Sequence, residues 1–570
     1  MKKNKNKAFS EWAITAVVLL VSIAVQAADE GKAKGPEKEL GAEIKSQADA
    51  VETEANKIIG DVKTRLQNQA QEEAKKEKEL KPGDIRINYV PESVKNEIKQ
   101  QLRGEVRDQV LDDLIQHAKT ERWGLPEAQP EWFSRIKFKG DFRLRGQGDM
   151  YSDSNIGPYR EDPNLRAGYV DYLKVNENGG TVYTSPDDRY FDTWEDRQRL
   201  RARARLGVDA KVSTTTKASF RITTGNTKDP VSTNQTLGQY GNRYTMVWDR
   251  AFVEYNGPLS AEHQWLKLDG GRMPNPFFST DLIWDSDLAF EGLATSFSIN
   301  LRGGDSLLDI TENDQTMFFT MGAFPLQEVA LSSRDKWLFG AQLGGHWIFE
   351  NQSSFKIGLA YYDFTNIQGE KNSLDNTTLN YTAPQYMQKG NLLFDISNDS
   401  TDPNRELWAL AADYNELALT LSYDYASMAP IHVFFIGEVV KNIGYNKNDI
   451  EQRVQGSRVT RSGGFTNSDF LKANTLGYKA AIAVGWPKLT LPGNWMASMA
   501  YKYLEADAVV DAFADSDFHL GGTDAKGWIV EYSRGIDENV WLTFKYLSAS
   551  EITELPFNVD VLQLDVNAKF

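Results

Sequence analysis

From Ile136 onward, apolar and polar residues alternate one for one. Ile136, Phe138, Phe142 and Leu144 alternate with Lys137, Lys139, Asp141, Arg143 and Arg145. Leu200, Ala202, Ala204, Leu206, Val208 and Ala210 alternate with Arg199, Arg201, Arg203, Arg205, Asp209 and Lys211, and Ala218, Phe220 and Ile222 with Ser219, Arg221 and Thr223. Trp337, Phe339, Ala341, Leu343, Trp347 and Phe349 share one face, as do Phe355, Ile357, Leu359 and Tyr361, and then Val540, Leu542, Phe544 and Tyr546. The chain closes with Leu562, Leu564, Val566, Ala568 and Phe570 on one face and Gln563, Asp565, Asn567 and Lys569 on the other. A period of two is the signature of an extended strand with one greasy and one wet face. Segments of about 9–11 residues with this pattern fit a transmembrane antiparallel β-barrel over residues 133–570.

The connections sort by length. Val212 to Thr216, Glu350 to Ser353 and Arg534 to Asn539 read as short polar turns, whereas Met150 to Trp194, Thr365 to Arg405 and Gly444 to Ala473 read as long loops rich in Asn, Asp, Gly and Ser. Short turns on one side and long loops on the other are a barrel pattern. Seventeen candidate strand segments can be drawn, but a barrel with both ends on the periplasmic side needs an even number. Taking Arg405 to Ser427 as one long strand interrupted near Asn415-Glu416 gives 16 strands; a true hairpin there gives 18.

The N-terminal part is different. Lys2, Lys3, Lys5 and Lys7 precede the apolar run Ala13 to Val25 and the small-residue site Val25-Gln26-Ala27, which predicts a secretory signal peptide over residues 1–27. Residues 28–121 are polar and almost free of aromatics. Ile44, Ala48, Val51, Ala55, Ile58 and Val62 recur at heptad spacing, and Val94, Ile98, Leu102, Val106, Val110 and Leu114 recur by fours after Pro91-Glu92-Ser93. This segment reads either as a periplasmic coiled coil or as a solvated helical spacer. Residues 122–132, with Trp123-Gly124-Leu125-Pro126 and Pro130, form the linker to the barrel.

Composition refines this picture. The 570 residues include no cysteine, so disulfides and thiolate metal sites are excluded, and the net charge of −16 argues against nucleic acid as a partner. A mean hydropathy of −0.50 would suggest a soluble protein, but in a barrel half of each strand faces water. The 43 Gly, 14 Trp, 23 Tyr and 28 Phe suit strands joined by tight turns and flanked by aromatic girdles.

Arg199, Arg201, Arg203 and Arg205 project to one side of one strand, with Arg143, Arg145 and Arg221 on its neighbours. On the lipid face each would cost about 2–4 kcal/mol near the midplane, so they face inward. They form either a salt-bridged interior or the basic wall of an aqueous pore. A source of carboxylates follows the short strand Leu266 to Arg272. Met273-Pro274-Asn275-Pro276 cannot continue the ladder, and Asp281, Asp285, Asp287 and Glu291 come next, among Leu282, Ile283, Trp284 and Leu288. Such a loop reads as a constriction folded into the lumen against the arginines, or as an ordinary surface loop.

No catalytic, cofactor or metal site is expected. His117, His263, His346, His432 and His519 are scattered without ligand spacing. Asp507, Asp511, Asp515, Asp517 and Asp524 read as a solvated acidic loop rather than a calcium site, since no EF-hand spacing is present.

Several segments carry a resemblance. Gly271-Arg272-Met273-Pro274-Asn275-Pro276-Phe277 resembles the entry to the inward-folded third loop of bacterial porins. Tyr89 to Val94, Glu121 to Pro126 and Asp515 to Thr523 are similar to a family labelled "putative porin". The terminal Phe570 resembles the final aromatic of Gram-negative outer-membrane barrels, where it is part of the assembly signal read by the insertion machinery. The resemblance implies an outer-membrane barrel in contact with lipid, with its N-terminal segment in the periplasm. It further implies passive diffusion of small polar solutes or anions, and a homo-oligomer, with a trimer the first expectation. Two other functions compete: a structural anchor tied to the cell wall through the helical segment, and a barrel enzyme, for which no convergent Ser/His/Asp set is visible.

Overall fold

A computed structural model describes residues 135–155, 169–177, 190–257, 265–301, 315–330, 332–402, 405–461, 471–553 and 555–570. The chain divides into units Met1–Glu127 and Ala128–Phe570. The expected signal peptide, helical segment and linker lie outside the described residues.

Strands appear where the alternation places them. In chain order they are β1 (Ile136–Tyr151), β2 (Arg197–Lys211), β3 (Thr216–Thr224), β4 (Gln235–Thr236) and β5 (Met246–Gly257). Next come β6 (Leu266–Pro274), β7 (Ala289–Asn300), β8 (Thr316–Gln327), β9 (Lys336–Ile348) and β10 (Ser354–Thr365). β11 (Leu393–Asp395), β12 (Trp408–Leu410), β13 (Asn415–Tyr425), β14 (His432–Asn442) and β15 (Val459–Thr460) follow. β16 (Leu476–Gly485), β17 (Trp495–Leu504), β18 (Ala525–Asp537), β19 (Val540–Glu551) and β20 (Asn558–Lys569) complete the set. Two short helices, α1 (Tyr172–Glu177) and α2 (Lys447–Arg453), lie in loops.

Sixteen of these strands pair antiparallel with their neighbours, and β1 pairs with both β2 and β20, so the sheet closes. Closure matters because an open edge in lipid would leave backbone N–H and C=O groups without partners. At the seam, Phe570 and Gly140 exchange backbone hydrogen bonds at 3.0 Å, and the Phe570 ring covers the face of Gly140. β4 is a two-residue addition that continues the β2 ladder at Arg201 and Ala202, beyond the last β2–β3 pair. The strand number of 16 stands, but the segment Arg405 to Ser427 is not one interrupted strand. Its barrel part is β13 alone, and Trp408–Leu410 belongs to a separate three-stranded sheet of β12, β11 and β15.

Connections mostly alternate in length, with three departures: the β7–β8 link, residues 301–315, is long on the short-turn side, and the β8–β9 and β19–β20 links, residues 328–335 and 552–557, are short on the long-loop side. The described parts of the long loops are packed. The three-stranded sheet, the β6–β7 loop and the β17–β18 loop pack together inside the long-loop end of the barrel, with Leu282, Trp284, Phe394, Ala409 and Val509 all buried. Their apolar groups rest on inward side chains of the wall, among them Phe324, Tyr362, Ala418 and Val440. Asp507 ties this assembly together. It pairs with buried Arg461 at 2.8 Å, accepts the Tyr414 hydroxyl at 3.1 Å and accepts the Leu392 N–H at 2.8 Å. The acids expected in a solvated loop are therefore interior groups: Asp507, Asp511, Asp515 and Asp524 are all buried.

Two glycines turn the β6–β7 hairpin inward. Gly271 and Gly292 are register partners with φ of +121° and +137°. A Cβ would meet the Ala251 carbonyl oxygen at 2.4 Å in the first and the Ala323 carbonyl oxygen at 2.2 Å in the second. Only glycine fits both the dihedral and the approach. Gly292→Ala should destabilise the barrel by about 1–3 kcal/mol, read as a lower urea midpoint for loss of the compact, heat-modifiable form.

Candidate channel constriction

The arginines expected on one wall face inward together. In register, Arg143 lies opposite Arg203 and Arg145 opposite Arg201. Like charges directly across a ladder repel, so carboxylates are required nearby, and the same alternation supplies them. Asp141 accepts from Arg203 at 3.1 Å and Arg205 at 2.8 Å, Asp149 pairs with Arg199, and Asp249 pairs with Arg221. Asp565, across the seam from Arg145, binds it through two bonds of 2.8 and 2.9 Å. Arg143 donates to Asn234 at 2.5 Å and lies 3.9 Å from Asp565. Arg201 is bonded instead to Gln147 and Ser232, with no carboxylate within 4 Å among the described residues.

The loop between β6 and β7 crosses the lumen like a chord. It leaves the wall at Pro274, which cannot donate to a ladder. The Phe278 backbone then clamps to Gln342 of β9 through two bonds of 2.7 Å. Thr280 donates to Glu438 of β14 through its N–H at 3.1 Å and its hydroxyl at 2.5 Å. The Asp281 carboxylate pairs with Lys479 of β16, and its carbonyl accepts from Lys502 of β17 at 2.8 Å. The Asp285 N–H donates to Phe513, and Asp285 accepts the Ser516 N–H at 2.8 Å, joining the β17–β18 loop. The chord ends with Asp287 at the arginines, 3.4 Å from Arg203 and 3.2 Å from Arg205.

Only part of the expected acid set meets the arginines. Asp287 does so, Asp285 sits one step behind it, and Asp281 serves the lysines of the opposite wall. Glu291 belongs to strand β7 and pairs with Arg272 at a largely exposed site. A further acid comes from a different loop: Asp517 binds Arg145 through two bonds of 2.9 Å. Its inward position was not legible because an Asp-rich loop with Gly and Ser looks solvated. The adjoining Ala506, Ala508, Val509, Val510 and Ala512 were the available signal, since a solvated loop does not need them.

Electrostatics divide the carboxyl groups. Against the desolvation of burial, Arg203 and Arg205 hold Asp287 below the usual range, and Arg145 likewise holds Asp517 low. Burial and the neighbouring Asp515 push Asp285 well above the usual range. Asp511 is pushed up to about 7 by burial.

A prediction follows for Asp511, whose carboxyl accepts the Gln388 N–H at 2.9 Å. Its native value of about 7 exceeds the ordinary 3.8, so the native state binds the extra proton between those limits. The stability that this group contributes therefore falls as pH rises from about 4 to about 7, then levels off. The difference in hydrogen-exchange protection of residues 384–392 and 505–524 between the parent and Asp511→Asn should change across that window. It should be constant above it.

Comparison with known proteins places the chain. The family described as "Putative porin" matches residues 37–570. No curated protein matches the chain. Among solved structures, OprB of Pseudomonas putida is similar at 12% identity and TM-score 0.41, covering 77% of this chain and 96% of its own. The outer-membrane channel DcaP of Acinetobacter baumannii is similar at 11% identity and TM-score 0.35, covering 78% and 100%. OmpF of Salmonella typhi, in complex with daunomycin, is similar at 9% identity and TM-score 0.35, covering 76% and 97%. With a closed barrel of sixteen strands, and with a family match that spans all of it, this chain belongs to the "Putative porin" family.

Proposed function

We propose that the protein allows passive diffusion of small hydrophilic solutes and ions across the outer membrane, with the long loops outside and residues 28–121 in the periplasm. The observation that carries this reading is the chord from β6 to the arginines. It narrows the barrel by carrying Asp287 into contact with Arg203 and Arg205, next to Arg143 and Arg201 on the same wall. Fixed charges beside a narrow point act strongly on passing ions, because screening reaches only about 8–10 Å at ordinary salt. No reaction is assigned: the polar groups of the constriction are held by one another, and the work is done by width and wall charge. The anchor reading rests on residues 28–121, outside the described part, and bilayer recording separates the two. A folded protein should give channels whose conductance rises in proportion to bulk salt; silence at all voltages would refute diffusion.

Weak anion preference is expected. Arg201 has no carboxylate partner within 4 Å among the described residues. Arg201→Gln with Arg203→Gln should move the reversal potential in a salt gradient toward cations, and Asp287→Asn should move it toward anions. Unchanged potentials in both would place the constriction elsewhere. The protein is further proposed to form a homo-oligomer, a trimer, held in part by a coiled coil at Ile44 to Val62. Deleting residues 28–81 should lower the mass measured by light scattering and leave the barrel folded.

A further inference from the structure

The inward turn of the β6–β7 hairpin leaves a gap in the barrel wall. β5 pairs with β6 no further than Ala251–Arg272, and β7 pairs with β8 no further than Leu293–Ala323. Beyond these pairs the hairpin continues alone to Pro274 and Ala289. On the side facing the gap, Met246 to Arg250 of β5 and Phe324 to Gln327 of β8 have no ladder partner among the described residues. One backbone group without a ladder partner on this side is satisfied by a side chain: Arg272 Nε donates to the Asp249 carbonyl at 2.8 Å.

A cavity of about 940 Å³ lies at this gap. Its lining includes Met246 and Trp248, exposed on the outer surface, and Trp284, Phe290 and Phe324 from the packed interior. Lys228, Asp229 and Pro384 to Tyr386 of the long loops line it too, so the cavity joins the wall gap beside Trp248 to the long-loop end. The interior end is aromatic, with Trp284 and Phe290 edge-to-face at 5.1 Å and Phe290 and Phe324 at 5.1 Å. The charged groups along it are already engaged. Asp249 holds Arg221, Arg272 holds Glu291, Lys228 holds Glu177 at 2.7 Å, Asp229 accepts the Val231 N–H at 3.0 Å, Asp511 accepts the Gln388 N–H at 2.9 Å, and Lys336 donates to the carbonyls of Thr382 and Ala383 at 3.1 Å.

The depth of the gap matters. Outward Trp248, Phe339 and Tyr361 stand near the long-loop ends of β5, β9 and β10, as an interfacial belt does. At that depth a charged side chain costs only about 0–1 kcal/mol, so the exposed Arg272–Glu291 pair is tolerated at the lower edge. Amphipathic molecules also concentrate there.

We propose that this gap is a lateral binding site and passage between the outer leaflet and the barrel interior, for small neutral molecules with an aromatic or other apolar body. A cavity of this size suits a ligand of drug-like dimensions, and its aromatic faces favour such a body over an ion. The route goes beyond the diffusion of hydrophilic solutes proposed above and does not rest on it, because it crosses the wall and not the constriction.

The chain has no cysteine, so single cysteines report access cleanly. The full chain in liposomes would carry Leu288→Cys inside the cavity, Leu326→Cys on the β8 side, or Trp248→Cys on the outer face. Leu547→Cys, buried in a different cluster, serves as control. Each would be treated with N-phenylmaleimide, an apolar aromatic, and with a membrane-impermeant sulfonated maleimide, normalised to free cysteine. Leu288→Cys and Leu326→Cys should react about tenfold faster with the apolar reagent, which partitions into the leaflet and the cavity. Leu547→Cys should react with neither, and if Leu288→Cys does not fold, Leu326→Cys carries the test. Equal rates with both reagents would mean access from water only, and no reaction at either cavity position would mean a closed wall. Oxidative cross-linking of two copies through Trp248→Cys would show the gap covered by a second chain. Each of these three results would overturn the proposal.

Discussion

The interior is organised around the arginines of β1 and β2. Placed in register across a ladder, they repel one another, and burying any of them without a carboxylate would cost several kcal/mol. Asp141, Asp149 and Asp565 lie at inward positions of their own strands and supply part of the compensation. The rest must come from outside the wall, and Asp287 and Asp517 bring it on two loops that reach into the lumen. Loop position, charge balance and the narrowing of the barrel are thus one problem with one solution.

Bringing loops inside has its own cost, because their backbone groups leave water and need new partners. The structure meets this in two ways. Near the wall, side chains accept or donate directly, as Gln342, Glu438 and Lys502 do for the chord. Toward the long-loop end, the loops form their own sheet and an apolar core, whose burial offsets the ordering of so much chain. A barrel interior filled this way is part polar constriction and part packed core.

The sequence displayed the wall better than its contents. Alternation is a local signal, so β1, β2, β9, β10, β19 and β20 were legible residue by residue, together with the inward face of every arginine named from them. Asp287 was placed against the arginines by the mixture of acids and large apolar groups around it. What failed were features set by distant contacts. Trp408–Leu410 looks like the start of a barrel strand, but it pairs with Leu393–Asp395, a choice that no local pattern records. Asp507, Asp511 and Asp515 look solvated, and their burial depends on partners such as Arg461, Gln388 and Lys502 from other segments. Glu291 looked like the last loop acid because the return into β7 depends on Gly292, whose role appears only beside Ala323.

The anchoring of the chord also bears on whether it moves. To swing away from the arginines it would release Asp287 from Arg203, Arg205 and Thr233, and Asp285 from Ser516. Ionised Asp287 would have to find new compensation while two guanidinium groups fell back on Asp141 alone. Breaking one partner from a buried ion pair costs about 3–5 kcal/mol, which keeps the released state below about one per cent. The chord is therefore a fixed feature of the barrel rather than a gate. In the proposed channel, discrimination between solutes rests on a static width and a static field.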